Sequence, residues 1–254
     1  MCKDGADQSW IDPANPTRLE FDYMRRIAWL IDAWMTGDSN RLRVVHIGGA
    51  GMSLARWLAV TRPGTAQIVL EPDEAITAAV RQVAPLPPRS GIKVRPVDGR
   101  RGLASMPGEY ADVVILDAFD HAQVPASLVS GEFMDDVVRV LRKGGLLAVN
   151  LIDAHPHQWA RRVVATVNHS FPACCVIAES SALKAHRVTN LVVGASQAEL
   201  PIDALTRLAA GAVFPCTVLA ATQLTHWLAG ARVFTDADAE PSPPREDGEL
   251  TWYG

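Results

Sequence analysis

The sequence predicts an α/β protein: a doubly wound, mostly parallel sheet of seven strands with an antiparallel pair at its C-terminal end. Three observations carry that expectation. Short apolar, β-branched runs alternate with stretches of helical periodicity along most of the chain. Residues 43–56, RVVHIGGAGMSLAR, read directly as strand, glycine turn and helix. The last two strand-like runs, 174–179 and 190–195, have no helical stretch between them, which fits a hairpin-like pair rather than a crossover.

Each element follows from local chemistry. Residues 1–16 are polar and expected to be irregular. Residues 17–35 carry Leu19, Tyr23, Ile27, Leu30, Ile31 and Trp34 near helical spacing, with Thr17 and Glu20 placed as a capping box. Residues 37–40 break that helix. Strands are expected at 44–47, 66–71, 92–97, 112–116 and 146–151, separated by helices at 72–83, 101–105, a helix ending near Arg142, and 156–169. Pro72 suits a helix start, and Lys143-Gly144-Gly145 a helix stop. Two short helices at 202–210 and 222–229 complete a single domain over 17–234. The proline-rich, acidic stretch 235–254 reads as a disordered or surface-draped tail.

Bulk properties exclude several classes. With 254 residues, 48% hydrophobic and 20% charged, the chain has enough apolar content for a large core. A formal net charge of −4 gives no general attraction to nucleic acid or to an anionic membrane. No apolar run reaches the about 20 residues that span a bilayer, and MCKDGADQSW has no signal-peptide core. A cytoplasmic location is the expectation. Cys2, Cys174, Cys175 and Cys216 form no C-x-x-C pair and read as buried, reduced thiols. His155 and His157 have metal-like spacing but no completing cluster, so they read as a solvated helix start, and no metal is expected. Arg41, Arg43, Arg100 and Arg101 read as solvated.

Ligands of such sheets bind at the carboxyl ends of the strands. That rule gathers Gly48, Gly49 and Gly51, Glu71, Asp98 with Gly99, Asp117 and Asn150 on one rim. Glycines let a ligand approach the backbone, and the following helix turns its free N–H groups toward it. Glu71, about 20 residues after the turn, is placed to accept both hydroxyls of a ribose. Asp98 fits either an exocyclic amine or an Asp-Gly turn. Asp117 and Asp120 in LDAFDH are placed to hold a cationic amine, to deprotonate it, or to contribute to a metal site.

These residues carry a resemblance. The region from about Glu20 to Ala195 resembles the spermidine synthase family of polyamine aminopropyltransferases, built on the class I S-adenosylmethionine methyltransferase fold. The family's E-F-S-Y-Q stretch is matched by Glu20-Phe21-Asp22-Tyr23-Met24, and its I-G-G-G-D-G-G-x-x-R turn by the ten residues from Ile47 to Arg56. E-I-D becomes Glu71-Pro72-Asp73, G-D-G becomes Val97-Asp98-Gly99, and D-S-S-D-P becomes Asp117-Ala118-Phe119-Asp120-His121. The resemblance implies decarboxylated S-adenosylmethionine as donor, Glu71 on its ribose and Asp98 on its adenine. It implies Asp117 as the residue that positions or deprotonates a small-molecule amine, with Tyr23 and Asp120 lining the amine pocket.

The chain also departs from the family. Gly51 replaces the acid of the glycine turn, Met24 replaces the glutamine, and a short polar segment stands where the family has a small β domain covering the site. An open cleft is the expected result, with a lid from the partner copy of a homodimer or from the tail. Two other readings fit the same rim. One is a methyltransferase using S-adenosylmethionine itself. The other is a catalytically silent nucleoside-binding homologue. Asn150 also resembles half of the strand-five Asp-Asn pair of metal-dependent O-methyltransferases, but Val149 stands in place of its acid.

Overall fold

A computed structural model describes residues 2, 3, 6, 7, 10–35, 41–49, 51–184 and 187–244. The break expected at 37–40, Ala50 of the glycine turn and residues 245–254 lie outside them. The parallel strands are β1 (Arg43–Ile47), β2 (Ala66–Leu70), β3 (Ile92–Arg95), β4 (Ala111–Leu116) and β5 (Leu141–Ala154). They are followed by β6 (Ala173–Glu179), β7 (Val188–Ser196) and β8 (Cys216–Ala220). The spatial order is β8-β6-β7-β5-β4-β1-β2-β3. β1 pairs in parallel with both β2 and β4, so the winding reverses between β1 and β4. A crevice at the carboxyl ends follows from that reversal. β4 is buried along its whole length, as a strand covered on both faces must be.

Helices cover both faces. On one lie α1 (Asp22–Trp34), α2 (Ser53–Thr61), α3 (Glu74–Val83) and, later in the chain, α7 (Ile202–Ala210). On the other lie α4 (Gly99–Ala104), α5 (Gly131–Val140), α6 (Gln158–Ser170) and α8 (Ala221–Leu228). Ile27, Leu30 and Ile31 of α1 are fully buried. A Cβ at Gly194 of β7 would fall 2.7 Å from Leu30, so the approach of α1 to the sheet depends on that glycine.

Several boundaries differ from expectation. α1 starts at Asp22, with Phe21 as an N-cap that makes no side-chain bond. Thr17 instead donates to Asn15 at 2.6 Å, and Glu20 pairs with Arg18 at 2.9 Å, so the capping box does not form. α3 is capped by the Asp73 side chain, which accepts from Ile76, rather than begun by Pro72. α5 stops at Val140 and the chain passes straight into β5, with Gly144 at φ +75° inside that strand. The expected antiparallel pair forms between β6 and β7. The sheet has eight strands rather than seven: β8 pairs antiparallel with β6 at the edge. Its five residues run directly into α8, so the sequence reads there as the approach to a helix. At the N-terminus Cys2–Lys3 pairs antiparallel with Ala6–Asp7, where an irregular segment was expected.

His157 is fully buried, not a solvated helix start, and lies 6.2 Å from the Trp227 ring. Cys174 and Cys175 are buried free thiols, while Cys216 is only half-buried. Residues 235–244 are draped over the surface rather than disordered. Asp236 pairs with Arg100 at 2.6 Å, Asp238 pairs with Arg162 at 2.5 Å, and the Trp159 indole donates to the Glu240 carbonyl at 3.0 Å. Ser242 is buried; its hydroxyl accepts from the Val124 N–H at 2.9 Å and its own N–H donates to the Val124 carbonyl at 3.1 Å.

Phe234 is fully buried, sits in the core beside α5 and α6, and carries Arg162 3.8 Å above its ring. Phe234→Ala is expected to cost about 3–5 kcal/mol, the scale for emptying a buried aromatic site. Truncation after Thr235 keeps that anchor and is expected to leave a cooperatively folding protein. Urea unfolding of the two variants checks the contrast.

Candidate active site

The carboxyl ends of β1, β2, β4 and β5 open into a cavity of about 440 Å³. Its floor is the turn after β1. Gly48 has φ +78°, and a Cβ there would lie 2.4 Å from the Asp117 carbonyl oxygen and 2.6 Å from the Ala118 Cα. The ends of β1 and β4 therefore meet at a spacing no side chain permits. Gly49 donates its N–H to Glu71 Oε2 at 3.2 Å, and the Asp73 N–H reaches Glu71 Oε1 at 3.0 Å. Glu71 thus ties the glycine turn to the start of α3. Met52 then takes a left-handed conformation, φ 58°, and α2 begins without a side-chain cap, with Ser53 and Leu54 on the cavity wall.

The structure brings Tyr23, Gly48, Gly49, Glu71, Asp98, Gly99, Asp117 and Asp120 to this one cavity. Gly51 is not among its lining residues; it is buried, and its carbonyl accepts from Arg56 Nε at 3.3 Å. Asp98 caps α4, accepting from the Arg101 N–H at 3.1 Å, with its carboxylate exposed at the mouth. Asp120 also stands at the mouth, with a side chain 77% exposed, apart from Tyr23 and Asp117 deeper in. Its backbone closes a tight turn with Gln123 through bonds of 2.8 and 2.9 Å. His121 and Ala122 both have positive φ there, 45° and 62°, a conformation in which non-glycine residues are strained.

Asp117 is the fixed point of the inner wall. The Tyr23 hydroxyl donates to its Oδ2 at 3.2 Å, and Asn150 Nδ2 donates to its Oδ1 at 2.9 Å. Asn150 is itself oriented by Asn190 Nδ2 at 3.0 Å, whose carbonyl accepts from Arg26 at 3.2 Å. Burial raises the Asp117 carboxyl above its ordinary pKa, although the bonds from Asn150 and Tyr23 pull the other way. Burial, then the Asp117 charge, raises the Tyr23 phenol well above its usual range, so it remains a donor.

His46 belongs to this wall, with Gln67 bonded to it from the neighbouring strand, and neither was singled out from the sequence. His46 borders the cavity, and its Nε2 lies 2.9 Å from Gln67 Oε1. Burial lowers the imidazole to about 4. The available signal was a pair of polar residues, His46 and Gln67, each inside an otherwise apolar strand of the buried sheet. Among the described residues, no group of three or more His, Cys, Asp or Glu side chains is placed to hold a metal ion, and no helix is long and apolar enough to cross a membrane.

No protein-family model matches the chain. A polyamine aminopropyltransferase of Neisseria meningitidis serogroup A is 26% identical over 145 residues, which is 56% of this chain and 53% of that protein. The chain therefore matches about half of that relative's length. A probable spermidine synthase of Corynebacterium glutamicum superposes with a TM-score of 0.82 at 28% identity, over 89% of this chain and 84% of that one. Human methyltransferase-like protein 13, solved in complex with SAH, superposes with a TM-score of 0.58 at 19% identity, over 84% and 95% of the two chains. The chain is spermidine synthase-like in sequence, and its fold is that of the class I methyltransferases.

His46 yields a pH dependence of stability. Its folded pKa of about 4 lies below the ordinary 6.5, so its contribution is complete above pH 6.5 and is lost as pH falls toward 4. The loss is expected to be about 3 kcal/mol. Urea unfolding of the wild type and of His46→Phe across that window checks it: the variant's curve is expected to be flatter.

Proposed function

We propose that the chain is a transferase that binds decarboxylated S-adenosylmethionine in this cavity and moves its aminopropyl group to a small amine. The observation that carries this reading is the Asp117 carboxylate, held by Tyr23 and Asn150 on the inner wall, on a residue whose backbone packs against the glycine turn. The relatives' names support the same activity.

The proposed chemistry is an in-line displacement. An amine nitrogen forms a bond to the methylene beside the sulfonium, the carbon–sulfur bond breaks, and the electron pair leaves with methylthioadenosine as a neutral thioether. A polyamine nitrogen is mostly protonated at neutral pH and has no lone pair. An ionised Asp117 attracts that cation, then takes its proton as attack begins, and passes it to solvent. The raised pKa narrows the gap between base and amine, which favours transfer. Orientation supplies most of the remaining rate. In the same reading Glu71 binds the ribose. Its oxygens accept the N–H groups of Gly49 and Asp73, which hold the carboxylate at the end of β2, facing the cavity. Asp98 at the mouth takes the adenine amine, Gly48 and Gly49 admit the sulfur, and Asp120 meets the far end of the amine substrate.

Methyl transfer from S-adenosylmethionine is the second reading, favoured by the shared methyltransferase fold. A catalytically silent homologue is the third. Incubating the protein with each donor and a panel of amines, and identifying products by mass, separates the three. Aminopropylated amine supports the proposal, methylated product the second reading, and binding without product the third.

Asp117→Asn keeps the shape and the Asn150 bond while removing the base. It is expected to lower turnover by roughly 10²–10⁴, with nucleoside affinity little changed. It is also expected to raise stability at neutral pH, because a buried charge disappears; that gain fades as pH falls through the raised folded pKa of Asp117. Steady-state kinetics with thermal unfolding measures both. Glu71→Ala is expected to weaken adenosyl binding by about 1–3 kcal/mol, read by calorimetry.

A further inference from the structure

The polar side chains on the inner wall are largely committed to one another. Tyr23 and Asn150 donate to Asp117, Asn150 accepts from Asn190, and Ser53 donates to the Trp10 carbonyl at 2.7 Å. His46 differs. It shares the face of β1 that carries Val44 toward α1, opposite Val45 and Ile47, and it borders the cavity while only 5% exposed. Gln67 fixes its tautomer. The Gln67 amide nitrogen donates to the Ala55 carbonyl at 2.9 Å, so the amide oxygen accepts, and His46 Nε2 carries the proton. The Nδ1 atom is left with a lone pair, and no hydrogen bond to it is found among the described residues.

We propose that His46 is a ligand-binding residue of this cavity: its Nδ1 accepts a hydrogen bond from the primary amine on the donor's three-carbon chain. It thereby selects an adenosyl sulfonium bearing that amine over an adenosyl thioether without one. The proposal rests on the reading of the cavity as an adenosyl site. A buried acceptor discriminates strongly, because a ligand lacking the donor leaves it unpaired. A neutral acceptor also fits its neighbour. A second carboxylate beside Asp117 would oppose the ionisation that a base requires, and an imidazole does not. Burial keeps this ring unprotonated through the neutral range.

The test is a cycle between the His46–Gln67 pair and the donor's aminopropyl group. Binding of decarboxylated S-adenosylmethionine and of methylthioadenosine is measured by calorimetry on the wild type and on the double variant His46→Phe, Gln67→Leu. That pair replaces both polar partners by apolar groups of similar shape. The expected result is an about 10–100-fold loss of affinity for the amine-bearing compound, the range for a hydrogen bond to a charged group, with methylthioadenosine unchanged. An equal loss for both compounds, or no loss for either, overturns the assignment. If neither compound binds the folded wild type, the adenosyl reading falls and takes this one with it. Binding of methylthioadenosine without amine discrimination removes only the role of His46. Should the variant fail to fold, the imidazole nitrogen resonances of His46 in the wild type decide. A shift at Nδ1 on adding decarboxylated S-adenosylmethionine, absent with methylthioadenosine, supports the assignment. No difference between the two overturns it.

Discussion

The site depends on a single close approach. The ends of β1 and β4 come together at Gly48, where a Cβ would overlap the Asp117 carbonyl and the Ala118 backbone. Parallel pairing of the two strands through Ile47 and Leu116 sets that distance, and the Asp117 N–H donates to the Ile47 carbonyl at 2.9 Å to extend it. Everything else in the cavity is referenced to this contact. The turn goes left-handed, α2 starts without a capping side chain, and the carboxylate of Asp117 is delivered to the inner wall at the winding reversal. Any side chain at position 48 would part the strands and move the floor and the catalytic candidate together.

A second constraint is the cost of burying polar groups, which is met by chaining them. Asp117 is satisfied by Tyr23 and Asn150, Asn150 by Asn190, and Asn190 is anchored by Arg26. His46 and Gln67 form a parallel chain ending at the Ala55 carbonyl. Such chains leave few rotamers open, so the groups are oriented before a ligand arrives. Orientation here is inherited from the sheet. Asn150 and Asn190 sit on adjacent antiparallel strands, with Asn190 opposite Ile152, and their side chains meet because the register puts them there.

How legible this was varied with the range of the signal. The β1 turn, the acids after β2 and β4, and the alternation of strands and helices are local patterns, and they are readable because strand, turn and helix each leave their own periodicity. The capping box at Thr17 and Glu20 has the right spacing, yet both side chains found nearer partners, so spacing alone was insufficient. β8 was hidden because it exists only through pairing with β6, a partner about forty residues earlier. His46 was overlooked for a related reason: a histidine in a strand becomes informative only when a glutamine placed diagonally on the adjacent strand is known to fix its proton. Asp120 carried a motif-level signal, but the strained turn at His121 and Ala122 directs it outward to the mouth.

The strap formed by residues 235–244 bears on when the site becomes complete. The loop that lines the cavity mouth from Phe119 to Pro125 is pinned at Val124 by both the hydroxyl and the backbone of Ser242, which lies 118 positions further along the chain. During synthesis the chain emerges in order, and domains gain structure as their parts appear. The sheet from β1 to β5, with the glycine turn and Asp117, has all of its residues available well before Ser242 leaves the ribosome. The mouth therefore gains its final order after the floor, and a nascent chain lacking the strap has the residues of the cavity floor beside an unanchored rim.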